Sequence, residues 1–586
     1  MTSTFPIYTP VSRPQGFRLD LTRGSSRDFR FTSLLALALG ASLVGCASSG
    51  KDSHEPSPVS QQAPIVSTTD VVVDWSDVKQ TMSGFGASSA WFGVKISDAD
   101  ADSLFDAKIG IGLSLLRAQI GLPADTRSDG KEPVTGAVPV ATAPDLATAK
   151  QALARGAKVW ATAWTPPPAW KTTNSKNGSG KDFTSNVLQP EHYQDYANYL
   201  ADFVDLMKGG GVPLIALSAQ NEPDYVASWD GAEANASMVA TFVGQYLGPT
   251  FATRCPDVKI VSPDTAHWDN LWTGNDMDYY DALMNDPDAK KYTAIVATHP
   301  YPVGDRDPNL QMPVPSENGK EFWQTEWSQE NKVTTDTPDP SMVSAIDMVQ
   351  HIHDHLTIAN MNSWNWWAIY TTKDNLNDKN RMNPALIQPD ATLGTPYMFK
   401  RGYAFGNWSK FVRPGFIRIG ATDTPTEDVL VEAYRDDTHI AIIAVNATND
   451  TVTQKFTLTD GTFGTVTPWV TSETDSLAAK TPITATDNFT FDLPNQSVVT
   501  FVNWDATIET PDPLNPGTGG ASGTGDASVE AGTTGGGVSV TNENWQLAGG
   551  GFGCRIGGKP SRTRTIAGLG LLGLVLLGIK RRRTSR

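Results

Sequence analysis

The sequence predicts an α/β fold: a (β/α)8 TIM barrel with an attached all-β sandwich. Three observations carry that expectation. Short strand-like runs alternate with stretches of helical periodicity between residues 81 and 408. After Gly406 the texture changes to short alternating strands separated by turn residues. Two of the earlier runs end in a glutamate, Glu222 and Glu326, and these lie 104 residues apart.

In chain order, residues 1–46 read as an export signal of the lipoprotein type. Arg13, Arg18, Arg23, Arg27 and Arg30 precede an apolar run, Leu34 to Val44, too short to span a bilayer. The run closes on Leu43-Val44-Gly45-Cys46, which resembles a bacterial lipobox and makes Cys46 the expected lipidation site. Residues 47–68 are rich in Ser, Pro and Gln, a flexible tether. Residues 69–80 hold a strand, Val71–Trp75, expected to complete the sandwich and tie it to the barrel.

The barrel is assigned to residues 81–408. Its eight strands are expected at Gly84–Ser88, Leu113–Ile120, Lys158–Trp164, Leu214–Gln220, Lys259–Ser262, Tyr292–Thr298, Phe322–Thr325 and Ser363–Trp367. The glycines of the first suit close backbone packing. Helical periodicity is clearest over His192–Met207 and Ser341–Leu356. Residues 409–505 form the sandwich, with strands from Phe416–Ile419 to Val498–Trp504. Residues 506–550 are a Gly/Thr/Ser-rich linker. Residues 551–586 hold Cys554, an apolar run Ile566–Ile579 and Lys580-Arg581-Arg582-Arg583, and resemble the C-terminal sorting tails of myxobacterial surface proteins. Both ends place the protein outside the cytoplasm, attached to the cell surface or outer membrane through the lipid and the tail.

The formal charge is −17, with +3 on residues 1–46 and +9 on residues 554–586, leaving −29 between them. So acidic a body excludes nucleic acid as a partner. Of three cysteines only Cys255 lies in the body, so no disulfide framework is available. No cofactor is expected, and the chain is expected to act as a monomer.

The site is read from the two glutamates. Leu214 to Gln220 is an apolar run cut short by Asn221-Glu222-Pro223, where proline ends the ladder and leaves Glu222 at the strand tip. Phe322-Trp323-Gln324-Thr325-Glu326 repeats the pattern. A separation of three βα units matches the fourth and seventh strands of a barrel, whose C-terminal ends carry the chemistry. Two carboxyl groups facing each other there are the equipment of glycoside hydrolysis.

Gly84-Phe85-Gly86, Gly112-Leu113-Ser114-Leu115-Leu116-Arg117, Trp164-Thr165-Pro166-Pro167, Ser218 to Asp224, Thr325-Glu326 and Ser409-Lys410-Phe411-Val412-Arg413-Pro414-Gly415 together resemble glycoside hydrolase family 30. The resemblance covers about Thr68 to Trp504 and is strongest to the bacterial xylanase branch. It implies a retaining mechanism with Glu222 as general acid/base and Glu326 as nucleophile. An ionised Glu326 beside it keeps Glu222 protonated for the leaving group. Asn221 is expected to hydrogen-bond the sugar 2-hydroxyl, Arg117 to pin Glu326, and His299 and Tyr301 to orient Glu326. Trp91, Trp164, Trp170, Trp366 and Trp367 lie in or after strand ends; some are expected to stack on sugar, and at least two to be core. No metal is expected: His351 and His355 share a helical face with no third ligand in reach.

One departure concerns specificity. The glucuronate-reading xylanases follow the eighth-strand tryptophan pair with a Tyr-x-Arg-Arg pattern; here Trp366-Trp367 is followed by Ala368-Ile369-Tyr370-Thr371 and an insertion around Asn375–Gly394 with Lys379 and Arg381. Loss of arginine removes a bidentate carboxylate clamp. The expected substrate is therefore β-1,4-xylan with no strict need for a glucuronic acid branch. The alternatives are a β-1,6-galactanase, β-1,6-glucanase or glucosylceramidase-like hydrolase of the same family, and a non-catalytic carbohydrate-binding surface protein.

Overall fold

A computed structural model describes residues 64–91, 95–122, 143–178, 185–271, 277–301, 315–328, 341–370, 385–389 and 396–514. Cys46, the C-terminal tail, Thr371, Lys379 and Arg381 lie outside the described residues.

Eight parallel strands close into a barrel: Gly84–Ser88, Leu115–Ile120, Lys158–Ala163, Leu214–Ser218, Lys259–Thr265, Thr293–Thr298, Glu321–Gln324 and Ser363–Trp366. Closure sets the eighth strand beside the first, with Asn365 opposite Gly86. A Cβ on Gly86 would stand 2.6 Å from Asn365 Oδ1 and 2.8 Å from the Leu115 carbonyl, so glycine is required by close approach. The fifth strand runs three residues longer than expected, through Pro263 to Thr265.

Alternation along each strand explains the contents of the barrel. Leu115, Trp160, Ala216, Val261, Ile295, Ala297 and Trp323 form one buried inner cluster. Trp160 and Trp323 meet edge to face at 5.8 Å and fill the floor. Two residues further along their strands come Arg117, Thr162, Ser218, His299 and Thr325, all buried at the C-terminal mouth. The apolar floor thus excludes water from below, and the same pleat aims the polar row upward.

The helices outside follow the 3.6-residue period. Tyr193–Gly209 buries Tyr196, Leu200 and Phe203 against the strands. Met342–Thr357 starts at Ser341, whose side chain accepts the Val343 N–H at 3.3 Å. Its three histidines diverge. His351 packs on Trp327 at 4.4 Å, His353 Nε2 lies 2.8 Å from Asp423 Oδ1, and His355 Nδ1 accepts the Trp364 indole N–H at 2.9 Å.

The second domain holds a sheet of eleven strands, nine in one continuous path with Ile483–Ala485 and Asn488–Leu493 paired off it, and Val71–Thr81 bonds Ile417–Ala421 on one edge and Val452–Thr459 on the other. The sheet curls so that Phe456 and Phe489 meet Phe501 at 4.9 and 5.0 Å across its interior. Ile65–Val66, expected in the tether, adds a short parallel strand beside Val452 and Thr453. At the other end Ala506 is buried and Glu509 reaches His439 at 3.2 Å, so ordered chain continues past the expected start of the linker.

Helix Lys400–Ser409 joins barrel to sheet. Buried Asn407 donates to Thr500 Oγ1 at 2.9 Å and the Trp469 carbonyl at 3.1 Å. The string that follows it acts as a clasp: Lys410 donates to the carbonyls of Ala107 and Lys108 at 2.6 and 2.8 Å, and Arg413 to those of Ser409 and Gly112. These bonds satisfy backbone acceptors that would otherwise be buried unpaired.

Candidate active site

The site lies at the C-terminal mouth. Glu222 follows the fourth strand and Glu326 the seventh; both are buried. Ligand-capable atoms of Glu222, His299 and Glu326 all lie within 4.8 Å of one another. Glu222 has a positive φ of 49°, and its N–H donates to the carbonyl of Asp264, itself at φ 65°, at 2.9 Å. Such backbone costs about 1–3 kcal/mol per residue and persists where surrounding bonds enforce it.

Arg117 organises the mouth. Its Nη1 donates to Glu326 Oε2, its Nη2 to Asn221 Oδ1 at 2.7 Å and to Asp264 Oδ2 at 3.2 Å, and its Nε to Thr162 Oγ1 at 3.1 Å. The guanidinium lies 4.8 Å from the ring centre of Trp164. Because Asn221 accepts from Arg117 through its oxygen, its NH2 is the group left to donate to a ligand hydroxyl. Arg117 and Asn221 thus both stand at the mouth beside Glu326.

His299 is also in the site, but its hydrogen bond runs to the other glutamate: Nδ1–H donates to Glu222 Oε1 at 3.0 Å, and Nε2 lies 3.4 Å from Asp264 Oδ1. The orienting bond expected to Glu326 is thus made to Glu222, at the end of the fourth strand. Glu326 acts on His299 through charge. The Tyr301 hydroxyl meets Ser328 Oγ at 3.2 Å, two residues beyond Glu326.

Asp264 escaped the sequence reading and is the second hub. Fully buried, it accepts from Arg117, from Ser218 Oγ at 2.8 Å and from Thr325 Oγ1 at 2.5 Å. Burial opposes its ionisation, yet Arg117 and His299 hold its carboxyl far below the ordinary range. A signal existed: Ser262-Pro263-Asp264 repeats the strand-end proline and carboxylate seen around Glu222.

Burial would depress the His299 imidazole, but Glu326, Asp264 and Glu222 together raise it from 6.5 to about 10. His299 is thus held as a cation at neutral pH. A raised value contributes stability that is full below pH 6.5 and fades as pH rises through about 10. His299→Gln is expected to flatten the dependence of melting temperature on pH across that window; an unchanged alkaline slope contradicts the assignment. Burial also pushes the Glu326 carboxyl up, against His299 and Arg117, with Glu222 adding to the rise. Glu326 therefore binds a proton more readily than an isolated carboxylate does.

The five tryptophans divide. Trp91 meets Trp164 edge to face at 5.8 Å, and Trp164 meets Trp367 at 5.9 Å, forming one cluster beside Arg117. Trp170 instead stacks on His192 at 5.7 Å and abuts Tyr199 in the helix layer. Trp366 is fully buried among Trp364, Trp327 and Arg401. Alternation explains the split: Asn365 and Trp367 share the inward parity, so Trp366 points outward.

A closed parallel barrel with two carboxyl groups this close across its mouth, one tied to arginine, defines an enzyme that cuts glycosidic bonds. The sequence profile of O-Glycosyl hydrolase family 30 matches residues 145–378. Glucuronoxylanase XynC of Bacillus subtilis (strain 168) is 32% identical over 445 residues, covering 75% of this chain and 92% of its own. The crystal structure of the family 30 subfamily 8 xylanase Xyn30A from Clostridium acetobutylicum superposes with a TM-score of 0.60 at 32% identity, covering 74% of this chain and 99% of that one. Lysosomal acid glucosylceramidase of Mus musculus is 24% identical, covering 51% and 58%. The chain belongs to glycoside hydrolase family 30.

Proposed function

We propose that this chain is a retaining endo-β-1,4-xylanase that does not require a glucuronic acid branch, exported and held at the cell surface. The carrying observation is the approach of Glu222 to Glu326 within 4.8 Å. Retaining pairs stand about 5–5.5 Å apart, whereas inverting pairs leave about 6.5–9.5 Å for a water.

Glu326 attacks the anomeric carbon while Glu222 protonates the departing oxygen; water, deprotonated by Glu222, then releases the glycosyl-enzyme. Charge balance supports this division. Two cations, Arg117 and His299, face three carboxyl groups, Glu222, Asp264 and Glu326. Arg117 bonds both Asp264 and Glu326, which favours their ionised forms and suits Glu326 to the nucleophile's role and Glu222 to the proton carrier's. Asn221, fixed by Arg117, donates to the 2-hydroxyl, a contact that strengthens as the ring flattens in the transition state.

Similarity to a glucuronoxylanase and a xylanase supports xylan as the polymer. The branch is a separate matter. After Trp367 the chain runs to Tyr370, a buried phenol in place of arginine, whose backbone pairs with that of Ile387. A neutral group offers a glucuronate no ion pair, and a site lacking that clamp loses nothing, where a charged hydrogen bond is worth about 1.5–3 kcal/mol. The enzyme is expected to cut unsubstituted xylan about as well as glucuronoxylan and to release a scattered series of oligosaccharides. Product mass spectra check this. A single series with glucuronate at one fixed position would refute it, and inactivity on all xylans would favour a β-1,6-glycan or a glucosyl lipid.

Surface attachment rests on the lipobox at Cys46 and the basic C-terminal tail. One acyl chain holds a protein only marginally, so two signals suit stable anchoring. Among the described residues no helix is long and apolar enough to cross a membrane.

A further inference from the structure

Beside Glu222 stands a group of rings that the reading above leaves without a task. Tyr225 lies three residues beyond Glu222, and its ring packs at 5.7 Å against Trp229 and at 5.7 Å against His267. All three side chains are half-buried.

The fold holds this group from two directions. On one side buried Asp224 accepts the N–H groups of Ala266 and His267 at 2.6 and 3.1 Å and the Asn270 amide at 2.9 Å, and lies 3.3 Å from His267 Nδ1. On the other, the Trp229 carbonyl accepts the Gly178 N–H at 2.7 Å, and the buried Lys171 ammonium donates to the Gly231 carbonyl at 2.6 Å. A Cβ on Gly178 would stand 2.5 Å from the Ala227 carbonyl, so the two loops touch backbone to backbone. Burying a carboxylate and an ammonium is costly unless each is fully bonded. Here both are used to fix the segment that carries the rings, which lowers the ordering cost of binding.

We propose that Tyr225 and Trp229 form the first aglycone subsite, which takes the xylosyl unit on the leaving side of the cut and afterwards the acceptor sugar. This rests on the xylanase reading. The placement follows from Glu222: the Tyr225 N–H donates to the Glu222 carbonyl at 3.1 Å, so acid and ring share one turn. The acid must reach the glycosidic oxygen, whose other substituent is the aglycone. Trp91, Trp164 and Trp367 cluster instead about Arg117, the partner of Glu326, whose oxygen bonds the glycone carbon. Phenol and indole faces stack on the C–H faces of a pyranose.

The test is a partition measurement with β-xylobiosyl fluoride as donor and xylobiose as acceptor. Glu326 forms its bond to C1 as the C–F bond breaks and fluoride leaves with the Glu222 proton, so loading involves no aglycone sugar and leaves Glu222 as the base. Water or a xylobiose hydroxyl then attacks C1; its proton passes to Glu222 and the bond to Glu326 breaks, giving xylobiose or xylotetraose. The ratio of transfer to hydrolysis is read, and general losses cancel because both products come from one intermediate. Trp229→Ala and Tyr225→Ala are each expected to lower the ratio about tenfold, and Trp229→Phe to keep it within about threefold. Unchanged ratios in both alanine variants overturn the subsite. A wild-type enzyme inert toward the fluoride overturns the xylanase reading itself, a result distinct from the first.

Discussion

Glu222→Gln and Glu326→Gln are each expected to lower kcat on xylan by about 10²–10⁴-fold or more while the protein stays folded. Both changes keep shape and hydrogen-bonding oxygen, so Arg117 still finds an acceptor at residue 326 and His299 one at residue 222. What is lost is the nucleophile in one and the transferable proton in the other. The two fail differently. With a donor whose leaving group needs no acid, Glu222→Ala should load the glycosyl-enzyme and stall, and azide should release it as the β-azide. Glu326→Ala cannot load, and azide attacking the donor directly should give the α-azide. Chiral product analysis separates the two cases, and near-normal turnover by either glutamine variant contradicts the assignment.

Arg117→Ala is expected to cost about 3–5 kcal/mol of stability, because it strands buried charge on Glu326 and Asp264 at once. It also frees Asn221 to turn its amide, so catalysis should fall with stability. Arg117→Lys is the informative companion. One ammonium restores charge but cannot reach Glu326, Asn221, Asp264 and Thr162 from one planar fork. Lysine is therefore expected to recover part of the stability and little of kcat. Asp264 sets the pH sign: its carboxyl is held down in the fold, so its stabilisation exists at neutral pH and is lost as pH falls. The deficit of Arg117→Ala should accordingly narrow in acid. Denaturant titration with kcat/KM at several pH values reads all three effects, and a deficit constant with pH would contradict the electrostatic origin.

Local pattern carried much of the fold and part of the site. The barrel strands are apolar runs broken by glycine, proline or a polar tip, and each was legible in place, with ends shifted by one to three residues. The inward parity that sets Leu115 below Arg117 and Ala297 below His299 was legible too, because it needs only a period of two. What crosses between strands was not. His299 bonds Glu222 rather than Glu326, a pairing between strands that neither strand reveals alone. Asp264 lies where the register between the fifth and sixth strands shifts, between Pro263 and Thr265, so plain alternation does not place it. Trp366 and Trp367 are neighbours in sequence and face opposite sides of the wall, which a composition argument about aromatic residues cannot resolve. The curled sheet likewise depends on Val71–Thr81 pairing on both edges, with partners more than three hundred residues away.

The central claim is that Glu326 forms a covalent bond to sugar while Glu222 manages the proton. Its most direct measurement is trapping with a 2-deoxy-2-fluoro-β-xylobioside carrying a dinitrophenolate leaving group, followed by mass spectrometry of the intact protein and its peptides. The electron-withdrawing fluorine slows both steps, the activated leaving group rescues the first, and the intermediate accumulates. One fluoroxylobiosyl unit on the peptide containing Glu326, absent from Glu326→Gln, is the predicted result. A label on Glu222, or turnover of the same donor with inverted product and no adduct, would contradict it.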